Sequence, residues 1–390
     1  MTQLKPGIYW VGAIDWNIRN FHGYITNRGS TYNAYLIVDE KAVLIDTVKA
    51  PFFSEMMNRI EAIIDPEEIN YLISNHTEPD HSGSITQFLN RSNATLIATP
   101  AGQRELRRYY GENLECITTK EMPALSLGKQ TLQFVPVPMV HWPDSMVTYL
   151  PEEKLLFSND AFGQHLASSK RFDDEVDPAI LMQEAKTYYA NIVMHLWAPI
   201  RRALTTLQSV KVDMIAPSHG IIWRTNPSQI VNAYTNWVDG IWQPRVVIVY
   251  DTMWGSTGLL AKAIAEGVSS QGVDVEVYKL GSANQTEIIT SLLDARAILI
   301  GSPTLNNGLF PTVAGFLTYM KGLKPRNKLG AAFSSYGWGG GAKKEAEAML
   351  TATGIDVLPC DLEVTFRPST EELRRAVAFG QQVAMQVDKS

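Results

Sequence analysis

From residue 245 onward, without any internal sequence repeat, short apolar runs alternate with loops and helical stretches. The runs are R-V-V-I-V-Y (245–250), D-V-E-V-Y-K-L (274–280), A-I-L-I-G-S (297–302), K-L-G-A-A-F-S-S (328–335) and I-D-V-L-P-C (355–360). A strand with one wet face alternates apolar and polar residues, whereas a near-continuous apolar strand has to be covered on both faces. A helical pattern between each successive pair therefore predicts a parallel sheet wound on both sides. The pattern starts after Trp242-Gln243-Pro244, which divides the chain into domains of residues 1–243 and 244–390.

The first half has a different texture. Short runs rich in β-branched and aromatic residues lie between Gly, Pro, Asp and Asn: N-A-Y-L-I-V-D (33–39), K-A-V-L-I-D (41–46), I-N-Y-L-I-S-N (69–75), A-T-L-I-A-T (94–99), T-L-Q-F-V-P-V (131–137) and K-L-L-F-S-N-D (154–160). These predict strands. Helical patterns occur over 51–64 and around 180–208. All seven histidines lie in this half.

Composition excludes several classes. The net charge is −6 with no long Lys/Arg run, which argues against nucleic acid. No stretch approaches the roughly 18 apolar residues that span a bilayer. The opening M-T-Q-L-K-P-G-I-Y-W lacks the pattern of a signal peptide. Cys116 and Cys360 form neither a C-x-x-C pair nor a disulfide framework, which predicts a reducing cytoplasm. They also cannot build an iron–sulfur or rubredoxin-type site within this chain.

In the second half, the loop D-T-M-W-G-S-T-G (251–258) joins the first apolar strand to a helix. Thr252, Ser256 and Thr257 offer hydroxyls, Gly255 and Gly258 let backbone N–H groups approach an anion, and the helix N-terminus faces it. Without G-K-[ST] this is no Walker A loop. It suits one phosphomonoester held by hydrogen bonds, although many such loops are only helix caps. S-P-T-L-N-N-G-L-F-P-T (302–312) and S-S-Y-G-W-G-G-G-A (334–342) follow the third and fourth strands. All three loops belong to the carboxyl edge of the sheet, where ligands bind in open α/β folds. Tyr336 and Trp338 can stack on a flat ring and Trp254 can cover its edge. Residues 245–388 resemble flavodoxin. That resemblance implies FMN, with its phosphate at Thr252, Met253, Trp254, Gly255, Ser256 and Thr257. Its isoalloxazine would lie between Pro303, Thr304, Leu305, Asn306 and Asn307 on one side and Ser335, Tyr336, Gly337, Trp338, Gly339 and Gly340 on the other.

In the first half, S-N-H-T-E-P-D-H-S-G (74–83) crowds His76, Glu78, Asp80 and His81 into six residues. Pro79 argues against a helix. Extended spacing then puts His76, Glu78 and Asp80 on one side and turns His81 away. Ligands pointing two ways suit two metals. His141, Asp160 and His219 each end a predicted strand. A single such residue is usually a cap; seven together are not. Two divalent ions carry four positive charges, which three carboxylates and a bridging hydroxide neutralise.

The order H-x-E-x-D-H…H…D…H resembles the metallo-β-lactamase superfamily, with one departure. Hydrolytic members read H-x-H-x-D-H and hold zinc, but position 78 here is Glu. The extra carboxylate favours iron. Together with F-H-G-Y-I-T-N-R-G-S-T-Y-N-A-Y-L-I (21–37), H-W-P-D-S-M-V-T-Y-L (141–150), S-N-D-A-F-G-Q-H (158–165), Y-Y-A-N-I (188–192) and P-S-H-G-I-I-W-R (217–224), the chain is similar to flavodiiron proteins over essentially its whole length. This implies an N-terminal αββα metallo-β-lactamase-like sandwich and a C-terminal doubly wound flavodoxin-like sheet. It also implies two non-haem irons bridged by Asp160 and a (hydr)oxide. His76, Glu78, His141 and Asp160 would bind one iron; Asp80, His81, Asp160 and His219 would bind the other.

The activity so implied is reduction of nitric oxide to N2O, of dioxygen to water, or of both, with electrons passing through FMN. A separate rubredoxin-like donor is expected, with reduced deazaflavin as a second candidate, and a head-to-tail homodimer or a dimer of dimers. His22 and His165 are candidate pocket groups, as are Tyr188 or Tyr189; His195, on an apolar helix, has no assigned role. The competing readings are a zinc hydrolase fused to a flavodoxin and a flavodoxin-like carrier with an inert metal domain.

Overall fold

The computed structural model describes residues 2–388. The chain divides into two compact units. One runs to Tyr188 and takes in Leu196–Thr235; the other combines Tyr189–His195 with the chain from Asn236 onward.

The first unit is a sandwich of two mixed sheets. In the seven-stranded sheet, Thr2–Lys5, Ile8–Trp10, Tyr35–Val38, Ala42–Ile45, Ile69–Ile73, Thr95–Ala98 and Ile117–Thr118 lie in that spatial order. The five-stranded sheet runs Ala124–Ser126, Thr131–Pro136, Met146–Leu150, Leu155–Asn159 and Met214–Pro217. Alternate residues of each meet in one core: Tyr35, Ile37, Val43, Ile45, Ile73 and Ile97 pack with Leu132, Phe134, Met146, Leu150, Phe157 and Ala216. The period of two explains it, since every second side chain of a strand faces the partner sheet. Helices follow the strands, as in Phe53–Glu61 and Pro100–Tyr110.

The second unit is the expected parallel sheet. Its strands lie in the order Asp274–Lys279, Gln243–Tyr250, Ala295–Pro303, Leu329–Tyr336 and Asp356–Val357, every pairing parallel. Numbered within the unit this is 2-1-3-4-5, with the winding direction switching between the first and third strands. The run 355–360 is not one strand. Only Asp356–Val357 pairs there, and Glu363–Thr365 resumes pairing on Leu329–Tyr336. Pro359 lies in the gap; it has no N–H to give a ladder. The 180–208 pattern is also interrupted: Pro178–Tyr188 and Trp197–Leu207 are α-helices, separated by a π turn at Tyr189–Val193 and a 3-10 turn at Met194–Leu196. Among the described residues, no helix is long and apolar enough to cross a membrane.

Candidate functional site

The four segments that carry the candidate ligands leave strands at one edge of the sandwich. His76 follows Ile69–Ile73, His141 follows Thr131–Pro136, Asp160 follows Leu155–Asn159 directly, and His219 follows Met214–Pro217. All seven predicted ligands come together. His76, Glu78, His141 and Asp160 form one group able to hold a metal ion, and Asp80, His81 and His219 form a second.

Asp160 joins the two groups. Its Oδ2 lies 3.0 Å from His141 Nε2 and 3.7 Å from His76 Nε2. Its Oδ1 lies 3.0 Å from His81 Nε2 and 3.5 Å from His219 Nε2. One carboxylate thus presents an oxygen to each group. Glu78 Oε2 is 3.3 Å from both His76 Nε2 and His141 Nε2, and Asp80 Oδ2 is 3.1 Å from His219 Nε2.

The local geometry overturns one expectation from spacing. Pro79 does not prevent a helix; it starts one. Pro79–Ser82 is helical, with Glu78 as its N-cap and the amides of His81 and Ser82 bonded to Glu78 O. At the first helical position a missing N–H costs nothing. Extended alternation therefore stops at Glu78, so Asp80 does not share a side with His76 and Glu78. The helical turn instead brings Asp80 and His81 together.

Electrostatics show what this cluster needs. Burial penalises the charged form of Asp160, but His81, His141 and His219 outweigh it and hold the carboxyl well below its usual range. Burial likewise opposes charge on His81, yet Asp80 and Asp160 push it up to about 9. Burial also opposes charge on His76, and Asp144 and Glu78 raise it well above the ordinary imidazole value. His76 and His81 thus carry positive charge that the carboxylates demand, and a bound cation would replace those protons. Both carboxylate oxygens of Asp80 and both ring nitrogens of His81 are buried without a well-formed hydrogen bond. Buried polar atoms are normally satisfied, so these orphaned donors fit a metal pair. The set is oxygen and imidazole with no thiolate, which suits iron.

Residues with no sequence-based assignment support the ligands. Asp144 lies in the H-W-P-D-S segment; its oxygens sit 3.1 and 3.0 Å from His76 Nδ1, and its Oδ2 accepts from Thr77 N at 2.7 Å. His219 Nδ1 lies 2.6 Å from Thr31 O, a carbonyl that can only accept, so the proton sits on Nδ1 and leaves Nε2 bare for the cluster. Ser218 Oγ donates to Asp160 Oδ1 at 2.6 Å. Carboxylate or carbonyl partners on ligating imidazoles were the available signal, but 68 and 188 residues separate these pairs in the chain.

The two candidate pocket histidines differ. His22 is 61% exposed and holds Glu78 Oε1 at 2.7 Å. His165 is buried with both nitrogens engaged, Nδ1 with Ser30 Oγ at 2.7 Å and Nε2 with Tyr24 Oη at 3.1 Å. Burial and the neighbouring His219 hold it neutral. Of the tyrosine pair, Tyr188 faces this region, its ring 5.0 Å from His165 and 6.1 Å from His219. Tyr189 itself belongs to the second unit and packs there on Trp237. His195 is exposed and joins neither group.

In the second unit a cavity of about 1050 Å³ opens at the carboxyl edge, where the winding reverses. Its walls include Thr252, Met253, Trp254, Gly255 and Ser256, then Pro303 to Asn307, then Ser335 to Gly339. Gly255 has φ of 91° and starts the helix Ser256–Ser269, so the bare helix N-terminus meets the cavity. Trp254 and Trp338 are 95% and 96% exposed, which leaves both indole faces open for a flat ring. Two predicted contacts lie off the wall. Thr257 is buried and bonds Ser335 Oγ at 2.8 Å, and Gly340 sits against Glu363. Lys262, Lys279 and Arg367 line the cavity from outside the 251–258 loop. The loop has no cation, but the folded cavity has three.

Profiles of two families match: ODP family beta lactamase over residues 31–220 and Flavodoxin over 248–380. A nitric oxide reductase of Moorella thermoacetica is 45% identical over 99% of this chain and 98% of its own. A flavodiiron protein of Giardia intestinalis superposes with a TM-score of 0.95 at 36% identity, covering 99% of this chain and 96% of its own. The chain belongs to the flavodiiron protein family. The rubredoxin oxygen:oxidoreductase of Desulfovibrio gigas is similar as well, with a TM-score of 0.96 and 37% identity over 100% of this chain and 98% of its own.

Two predictions arise for this flavodiiron protein. Asp144→Asn keeps the shape but loses the anion that orients His76. Iron affinity, measured by competition with a chelator, is expected to fall about 10- to 100-fold. Gly220, next to His219, has φ of 78°, and a Cβ there would stand 1.8 Å from Gln164 Oε1 and 2.3 Å from Gln164 O. Gly220→Ala is expected to cost roughly 2–5 kcal/mol through left-handed strain and overpacking. Calorimetry should show the Tm of the first unit falling by roughly 5–15 °C.

Proposed function

We propose that this flavodiiron protein reduces nitric oxide to N2O, dioxygen to water, or both. The observation that carries the reading is Asp160 standing between two ligand groups in a chain that also builds a flavin-sized cavity. Residues 1–243 serve as the diiron domain and 244–390 as the FMN domain. When bound, FMN would take electrons singly or in pairs and supply two of them, and the two irons would supply two more, so that the irons suffice for the two-electron coupling of two NO and irons and flavin together for the four-electron reduction of O2.

The chain's residues have separable roles. His76, Glu78 and His141 would hold one iron, and Asp80, His81 and His219 the other, with Asp160 between them. Thr31 O and Asp144 keep the ring nitrogens of His219 and His76 aimed at the metals. His22 shields the outer oxygen of Glu78. Tyr188 and the neutral His165 line the His219 side without adding charge. In the second unit, Thr252, Ser256 and the helix N-terminus would take the phosphate, and Trp254 and Trp338 the ring. Lys262, Lys279 and Arg367 add the positive charge that a phosphate dianion favours.

A rubredoxin-like protein is the donor most in keeping with the name of the Desulfovibrio relative, and reduced deazaflavin is a second candidate. A head-to-tail homodimer, or a dimer of dimers, in a reducing cytoplasm completes the reading; analytical ultracentrifugation tests the assembly. Glu78 stands where zinc hydrolases carry His, which disfavours the hydrolase reading, and the complete ligand set disfavours an inert metal domain. The deciding experiment measures NO and O2 consumption side by side with chemically reduced rubredoxin or deazaflavin, with metal analysis of the same sample. Stoichiometric zinc without iron, or no consumption of either gas, would overturn the reading.

A further inference from the structure

On the outer face of the five-stranded sheet, beneath the helix Trp197–Leu207, lies a small cavity of about 90 Å³. Its walls include Val147, Val140, Ala161, Phe162, Leu204 and Tyr234. Val140 immediately precedes His141, and Ala161 and Phe162 immediately follow Asp160. The cavity therefore lies directly behind the backbone that carries two of the proposed iron ligands.

Its chemistry excludes water. A buried water needs two to four polar partners and fills about 30 Å³ of liquid. The lining offers little: Tyr149 Oη donates to Lys211 O at 2.6 Å, and Tyr234 Oη accepts from Phe162 N at 3.0 Å. Both hydroxyls are thus engaged, Thr206 Oγ1 donates to Arg202 O at 3.2 Å, Gln133 is an exposed residue, and the remaining lining is aliphatic or aromatic. A dry apolar cavity of this kind takes up apolar guests. Its size admits a diatomic molecule, which is little larger than water, and excludes a peptide or a cofactor.

We propose that this cavity is a docking site for one molecule of a small apolar gas, NO or O2, held behind His141 and Asp160. The proposal rests on the function proposed above. Such a site would raise the local gas concentration beside the metal-ligating groups. The gain is modest, because a two-atom ligand carries little binding energy.

Xenon is the probe. Crystals of the full-length, cofactor-loaded protein under xenon pressure are expected to show the atom between Phe162 and Leu204. Ala203, on the covering helix, also lines the cavity. Ala203→Phe should fill it, abolish the xenon peak and lower kcat/KM for the gas by up to about tenfold, with iron and FMN content unchanged. Ala203→Leu, less bulky, should show the same trend and serves if the larger ring impairs folding. Ordered water in the cavity, absence of xenon, or an unchanged kcat/KM in a variant that has lost xenon would overturn the assignment. A wild-type protein that consumes gas but takes up no xenon overturns the cavity proposal alone; one that consumes neither gas overturns the functional reading and the identity of the guest with it.

Discussion

Asp160→Ala is expected to leave a protein that binds FMN but holds no coupled iron pair and reduces neither NO nor O2 at a measurable rate. The two oxygens of this carboxylate face different imidazole pairs, at 3.0 Å from His141 on one side and 3.0 Å from His81 on the other. No neighbouring acid can take over, because Glu78 faces His76 and His141 while Asp80 faces His81 and His219. Loss of an outer partner such as Asp144 costs about 10- to 100-fold in metal affinity; loss of a shared ligand should exceed that for both irons. Iron analysis and Mössbauer spectroscopy read the metal, and visible absorbance reads the flavin. A variant that keeps two irons and full turnover would refute the shared-carboxylate geometry.

Glu78→His should have the next largest effect. The change makes the motif that of the hydrolytic relatives and removes one of three carboxylates. A third imidazole in the first group is neutral, so the site loses an anion that offsets iron's charge and gains preference for zinc. It also frees His22, which here holds Glu78 Oε1 at 2.7 Å. Gas reduction is expected to fall by roughly two orders of magnitude or more, with a raised zinc-to-iron ratio and flavin content unchanged. Equal turnover in the variant would count heavily against iron selection by carboxylates.

The contrast between the halves shows how much was legible. The strand runs 33–39, 41–46, 69–75, 94–99, 131–137 and 154–160 all carry strands, because burial on a pleated sheet leaves a local signature. The seven candidate ligands were equally visible, because metal binding dictates residue types. Pro79 misled, because one residue can block a helix interior or open a helix, and the difference lies in the hydrogen bonds of Glu78 O. Pro359 broke the last apolar run for the opposite reason: a ladder needs the N–H that it lacks.

By itself, then, the sequence determined the alternation of strands and helices, the chemical character of seven donors and the hydroxyl-rich loop, because each depends on residue type and near neighbours. Tertiary structure alone decided how closely the seven donors gather, that Asp144 and Thr31 contact the rings of His76 and His219, that three distant cations border the flavin cavity, and that an apolar-lined pocket includes the neighbours of His141 and Asp160. Those features depend on side chains brought together across tens to hundreds of residues, and no local pattern encodes such distances.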